Sequence, residues 1–584
     1  MLPVHFNMRD GKQDPPQGEE ASPEQPAVSR PSVPNVLDPL GINAAAFDVW
    51  KAMVSQPQAL LETQRHLADA WMKVLAQTLP ASASERALPV IEPAKNDSRW
   101  KHPAWRDNPM FDSLKQGYLL ATQAVLDGVN RAPDVDEATK ARVKFFAKQF
   151  CDAMSPTNFA FLNPAVIEET LKTGGKNLQQ GAENVLEDMR DNAGRPALVN
   201  KAAFQVGKNV AASVGAVVFR NELVELLQYT PTTDTVYERP LLIVPPWINK
   251  FYILDLQPAN SLIKFATDNG VQTFVVSWRN PDASHAALDF NDYVDRGALA
   301  AAEAVASIAG GADINQIGYC IGGTLTAMEL AYLAKTNRRP INAVTFFAAL
   351  TDFAEAGDIV NFLGPEAAAF IAQRMSAAGV LAGSDMADTF NMLRANDLIW
   401  NVAVNRYLLG KEAPAFDLLY WNSDATRLPA AMHAYYLENM YGRNALAKGE
   451  LTHRGVPIDL HAIENDVYCV ASLEDHIAPW RSVYKMTQLL TGNVTFRLGH
   501  SGHIAGIINA PASNKGNYWA NSVNPPSPDA WLAGAHKISG SWWPDWMAWL
   551  SERSGARIPA PAALGSELLP PLVPAPGTYV LEQA

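Results

Sequence analysis

Unbroken apolar runs mark the middle and later parts of the chain, at residues 241–244, 273–278, 315–320, 343–347, 467–470 and 494–498. Short runs without alternation suit parallel strands buried on both faces. Helix-length stretches at 293–308 and 479–490 stand between them, so the pattern predicts a doubly wound parallel sheet. One interval breaks the rhythm. From Asp352 to about Asn439 the chain is far longer than a crossover helix needs, and it carries Trp400, Tyr407, Phe416, Leu418, Leu419, Tyr420 and Trp421. That surplus predicts a cap inserted at about 352–439.

Before residue 200 the apolar period is helical. Leu60, Leu67, Trp71 and Val74 share one face, with Pro57 acceptable in the first turn. Further helices are predicted over 113–129 and 136–154, the second with Val143, Phe146 and Phe150 inward and Ser155-Pro156 ending it. Trp100 and Trp105 lie between these helices and require an apolar partner, be it the catalytic domain, a second subunit or a product surface. Residues 9–39 are rich in proline and acids with almost nothing to bury, which predicts a disordered leader. The expected domains are a leader at 1–40, a helical domain at 41–200, and an α/β domain at 201–584 that contains the cap.

The run at 315–320 ends in Gly318-Tyr319-Cys320-Ile321-Gly322-Gly323-Thr324 and leads at once into a helical stretch. Gly-x-Cys-x-Gly between strand and helix is the nucleophile-elbow pattern of α/β-hydrolases, with Cys in place of Ser. The helix N-terminus behind Cys320 favours thiolate, and the Ile321 amide can serve an oxyanion. A buried structural cysteine is the plainer reading of Cys320 alone; strand before and helix after favour the nucleophile.

In this fold the acid and then the histidine follow the nucleophile, on loops after later strands. Asp475 follows the 467–470 run, Asp352 follows 343–347, and Asp466 precedes its strand. Position favours Asp475 over Asp352, and both over Asp466. His500 and His503 both lie after the last run, in Gly499-His500-Ser501-Gly502-His503-Ile504-Ala505-Gly506.

The 584 residues carry a net charge of −13, which argues against nucleic acid as a partner. Three scattered cysteines, Cys151, Cys320 and Cys469, make no disulfide framework and suit a reducing cytoplasm. No signal peptide, membrane-spanning run, phosphate loop or dinucleotide fingerprint is present, and the His pair with His476 is a weak metal signal, so no metal is expected.

Several stretches together carry a family resemblance. They are the elbow, Val244-Pro245-Pro246-Trp247-Ile248-Asn249-Lys250-Phe251, Val276-Ser277-Trp278-Arg279-Asn280-Pro281, Trp421-Asn422-Ser423-Asp424, the loop of His503, and Gly540-Ser541-Trp542-Trp543-Pro544. They resemble the signature stretches of polyhydroxyalkanoate synthases, from about Ser98 to Tyr579. The resemblance implies an α/β-hydrolase fold with an inserted cap subdomain, preceded by a helical N-terminal domain. It implies Cys320, Asp475 and His503 as the catalytic triad, choosing His503 over His500. It further implies a homodimer at the surface of cytoplasmic polyester granules, with no cofactor. The layout is similar to class I synthases, which polymerise short-chain (R)-3-hydroxyacyl-CoA with release of CoA.

A thiol suits that chemistry, because exchanging one thioester for another keeps the acyl group activated. The oxyanion would be held by the amide of Ile321 and one from Trp247 or Ile248. Asn249, Lys250 and Arg279 are candidates for binding the CoA substrate, and the two cations are equally suited to structural roles. An acyl-CoA thioesterase of the same fold and a non-catalytic granule-coat protein are the rival readings, separable by product and by CoA release.

Overall fold

The structure, a computed structural model, describes residues 38, 40–55, 65–74 and 89–584. All of the expected leader except Asp38 and Leu40 lies outside the described residues, as do Pro57 and Leu60.

The α/β region is built on β1 (Gly215–Arg220), β2 (Val224–Tyr229), β3 (Leu241–Val244), β4 (Thr273–Trp278), β5 (Ile314–Tyr319), β6 (Ile341–Phe347), β7 (Asp466–Ser472), β8 (Val494–Gly499), β9 (Asn517–Ala520), β10 (His536–Ser539) and β11 (Val573–Pro574). They form one sheet in the order β10-β9-β8-β7-β6-β5-β3-β4-β2-β1-β11. The six central strands, β4-β3-β5-β6-β7-β8, are mutually parallel. Antiparallel strands extend both edges. The six apolar runs in the sequence are these parallel strands, and they are unbroken because both faces are covered. Leu242, Val244, Phe274 and Val276 feed one core cluster, and Leu241, Ile243 and Val275 feed another.

Between β6 and β7 the chain leaves the sheet. It runs through helices Pro365–Ala378, Gly383–Leu393, Asp417–Ser423 and Ala430–Tyr436, interrupted by π-helical turns at Asn396–Trp400, Val404–Leu408 and Leu437–Gly442. A small hairpin, Thr452–His453 with Val456–Pro457, precedes the return to β7.

The helical region contains Pro109–Arg131, capped by the Asn108 side chain, and Glu137–Ala153, capped by Asp136. Residues 65–74 are also helical, with Val74 buried. Trp100 and Trp105 stack edge to face at 4.8 Å and pack on Tyr118 and Phe111, so this region's own helices cover them. The expected inward stripe of the second helix needs one correction: Val143 is buried, but Phe150 is 69% exposed. That turn instead points Cys151 and Asp152 inward, where Asp152 meets Arg99 at 3.1 Å. Phe145 and Phe146 both pack against Phe362 of the capping excursion.

A second attachment is polar. Helix Lys176–Asp191 buries Asn177, Gly181, Asn184 and Asp188. Asn177 and Asn184 donate to the carbonyls of Leu408 and Arg406 at 2.8 and 2.9 Å, and Asp188 pairs with Arg406 at 2.7 Å. The Tyr407 hydroxyl also donates to Asp188. Gly181 is required there, since a Cβ would stand 1.8 Å from the Tyr407 carbonyl oxygen.

Candidate active site

Cys320 sits between β5 and helix Ile321–Lys335 with φ 54° and ψ −124°, a conformation L side chains rarely adopt. Three glycines make that turn possible. A Cβ on Gly318 would lie 2.5 Å from Gly323 Cα, one on Gly322 would lie 2.3 Å from the Val244 carbonyl oxygen, and one on Gly323 would meet Ala349 at 2.4 Å. The Cys320 amide is anchored on the Phe347 carbonyl at 2.9 Å. The thiol therefore stands above the carboxyl edge of the sheet, in the wall of a cavity.

His503 arrives on the loop after β8. Its Nδ1 is 2.6 Å from Asp475 Oδ2, and it lines the same cavity wall as Cys320. Burial opposes the charged imidazole, yet the negative charge of Asp475, the neighbouring Cys320 and the hydrogen bond that Asp475 accepts hold His503 well above its ordinary value. Asp475 is fully engaged: its other oxygen accepts the amides of Ile477 and Ala478, each at 2.8 Å.

The competing residues stand elsewhere. Asp352 accepts from Ala354 and Asn444 and lies 3.5 Å from Lys485. Asp466 starts β7 at the opposite edge and pairs with Arg553. His500 is exposed. The loop of His503 is itself held by two indoles, Trp542 donating to the Gly506 carbonyl and Trp543 to that of Ile507, both at 2.9 Å.

Of the expected oxyanion donors, the Ile321 amide opens the nucleophile helix, and among the described residues neither it nor the amides of Trp247 and Ile248 donates to any acceptor. Thr426 fixes the Trp247–Ile248 loop by donating to both carbonyls, at 2.6 and 2.7 Å. Ile248 and Asn249 line the cavity, whereas the Trp247 ring packs away from it on Trp278 and Tyr293.

Lys250 and Arg279 are not brought to the cavity. Lys250 is 5% exposed, with its ammonium 2.8 Å from Asp424 and 2.9 Å from the Glu582 carbonyl. Arg279 lies over the Tyr579 ring and 3.4 Å from the Glu582 carboxylate. Each faces a carboxylate or carbonyl that sequence order places far away.

The cavity holds about 640 Å³ and is mostly apolar. Phe416, Leu418, Leu419 and Trp421 line it as expected of capping residues, while Tyr407 and Tyr420 pack elsewhere. Sequence reasoning missed Tyr436 and Tyr441, which line the cavity with Cys320, pack edge to face at 5.3 Å, and have phenols pushed up by burial. A tyrosine-rich cap sequence was the only available signal. His433, also in the lining, is pushed down to about 4 by burial, so it is neutral. Among the described residues, no group of three or more His, Cys, Asp or Glu could hold a metal ion, and no helix is long and apolar enough to cross a membrane.

This fold and strained turn define the broad class, and residues 239–510 match the description "alpha/beta hydrolase fold". Residues 96–266 match "Poly-beta-hydroxybutyrate polymerase (PhaC) N-terminus". A poly(3-hydroxyalkanoate) polymerase of Methylorubrum extorquens is 43% identical over 92% of this chain and 89% of its own. A poly(3-hydroxyalkanoate) polymerase subunit of Cupriavidus necator is 42% identical over 89% of this chain and 88% of its own. The chain belongs to the poly(3-hydroxyalkanoate) polymerase family, and with it to the acyltransferase-type enzymes.

Proposed function

We propose that this enzyme joins the acyl groups of (R)-3-hydroxyacyl-CoA into a poly(3-hydroxyalkanoate), carrying them as a thioester on Cys320. The observation that supports this reading is that Cys320 and His503 share the wall of an apolar, capped cavity, with His503 Nδ1 2.6 Å from Asp475 Oδ2. His503 Nε2 takes the thiol proton, since Nδ1 is committed to Asp475. Cys320 attacks the thioester carbonyl, the Ile321 amide and one from the Trp247–Ile248 loop receive the oxyanion, and the proton passes to the departing CoA thiolate. The hydroxyl of a second hydroxyacyl group then attacks the Cys320 thioester. Its proton goes to His503, a C–O bond forms, and the C–S bond breaks.

Asp475 orients the imidazole. Its side chain is buried, with one oxygen accepting two amides and the other facing His503. Short-chain acyl groups are the expected substrates, and the working form is a homodimer at a granule surface. Exposed Phe150, Phe161, Leu171, Leu186 and Met189 on the helical region suit contact with an apolar phase. The test measures CoA release and product from three- to eight-carbon hydroxyacyl-CoAs. Insoluble polyester is expected, best from the short substrates; free hydroxy acid alone would make the protein a thioesterase.

A further inference from the structure

The loop carrying the second oxyanion donor has no regular structure and holds a buried ammonium, Lys250, at its end. That ammonium needs acceptors. Asp424 supplies one, and its other oxygen takes the Tyr252 hydroxyl at 2.7 Å. The second is the carbonyl of Glu582. The same residue accepts the Asn280 amide on its carboxylate at 3.2 Å, lies beside Arg279, and receives the Asn280 side chain on its carbonyl at 3.4 Å. Asn280 in turn accepts the Arg427 amide at 3.0 Å, and Arg427 reaches the Gln583 carbonyl at 3.1 Å. Arg427 directly follows Thr426, which fixes the Trp247 and Ile248 carbonyls. Two segments that frame the site, 247–250 and 279–281, thus converge on one residue more than 300 positions away, and 424–427 is joined to them through Asp424 on Lys250 and Arg427 on Asn280. The Glu582 side chain is 31% exposed and belongs to neither sheet cluster, so its bonds tie loops together and add nothing to the core.

We propose that Glu582 is a positioning residue for the oxyanion loop, holding it against Cys320 through Lys250 and Asn280. The inference rests on Cys320 being the nucleophile. It predicts that reactions passing through a tetrahedral oxyanion depend on Glu582, while simple alkylation of the same thiol does not.

The test compares Glu582→Gln, Glu582→Ala and a chain ending at Leu581 with the parent. Each is acylated with p-nitrophenyl acetate and separately alkylated with iodoacetamide, and its melting temperature is recorded. The shortened chain loses both the carbonyl and the carboxylate, Ala only the carboxylate, and Gln keeps an acceptor for Asn280. Acylation is expected to fall about tenfold or more in the shortened chain. It should fall less in Ala and return with Gln, while alkylation stays within about twofold of the parent. Unchanged acylation in Ala and in the shortened chain, or equal loss with both reagents, would overturn the proposal. If the shortened chain fails to fold, the difference between Ala and Gln decides. A parent that is acylated at Cys320 yet makes no polyester would remove the polymerase reading and leave this one standing.

Discussion

The two walls of the Cys320 cavity are built by opposite rules. On the sheet side each proposed reacting group is held by hydrogen bonds that involve the backbone: Cys320 by its turn and the Phe347 carbonyl, Asp475 by two amides, and the His503 loop by carbonyls that accept from two indoles. On the capping side the lining is a set of large side chains on short helices broken by π-helical turns. The difference assigns the work: the sheet sets geometry to fractions of an ångström, and the cap sets which molecules share the cavity with the thiol. Substitutions on the first wall should therefore change rates, and those on the second should change product.

The largest effect is expected from Cys320→Ala. CoA release should fall by roughly 10⁴-fold or more with the melting temperature unchanged. Cys151→Ala and Cys469→Ala should keep turnover, as both thiols are buried away from the cavity. Near-parental CoA release from Cys320→Ala would dissolve the division of labour altogether.

Asp475→Asn should come next, slowing the CoA burst and the steady state together by about 10³–10⁴-fold, because both steps use one imidazole. A normal burst followed by accumulated acyl-enzyme would give Asp475 a second duty in elongation. Asp352→Asn should alter neither, since Asn444 and Lys485 are its partners.

On the other wall, Trp421→Ala removes an indole that lines the cavity and donates to the Lys250 carbonyl at 2.7 Å. Cys320 alkylation should hold while free hydroxy acid rises relative to polyester, because water reaches the acyl thioester. Product analysis by chromatography reads this, and an unchanged ratio would deny the cap its water-excluding part.

The smallest effect belongs to the sheet side alone. Glu329, on the nucleophile helix, is fully buried, and burial raises its carboxyl to about 8, with Gln316 donating to it. A raised acid contributes stability that is full below its unfolded value near 4.5 and is lost as the pH rises through about 8. The swing is on the order of a few kcal/mol. Glu329→Gln should narrow the gap between melting temperatures at pH 6 and pH 9, with activity kept at pH 7.

The sheet side was largely legible in the sequence, because its determinants are local: apolar runs make strands, and glycines around Cys320 make the turn. Chain order was enough to prefer Asp475 to Asp352. The capping side was legible only in composition. Thr426, Tyr436 and Tyr441 act across folds of the chain that no period announces. The partners of Lys250 and Arg279 were hidden for the same reason, as Glu582 comes some 300 residues later. Phe150 fitted a helical stripe by spacing, but in that turn Cys151 and Asp152, the latter paired with Arg99, take the inward side.

The polar face of helix Lys176–Asp191 has a consequence for how this enzyme can vary. Asn177 and Asn184 grip carbonyls of residues 406 and 408, not side chains. The grip is indifferent to what Leu408 or Lys411 carry, so the segment leading to Phe416 and Leu418 can drift in sequence and retune the cavity without coming loose. Arg406 and Tyr407 are the exceptions: the guanidinium and the hydroxyl both meet Asp188, and there drift in one region must be matched in the other.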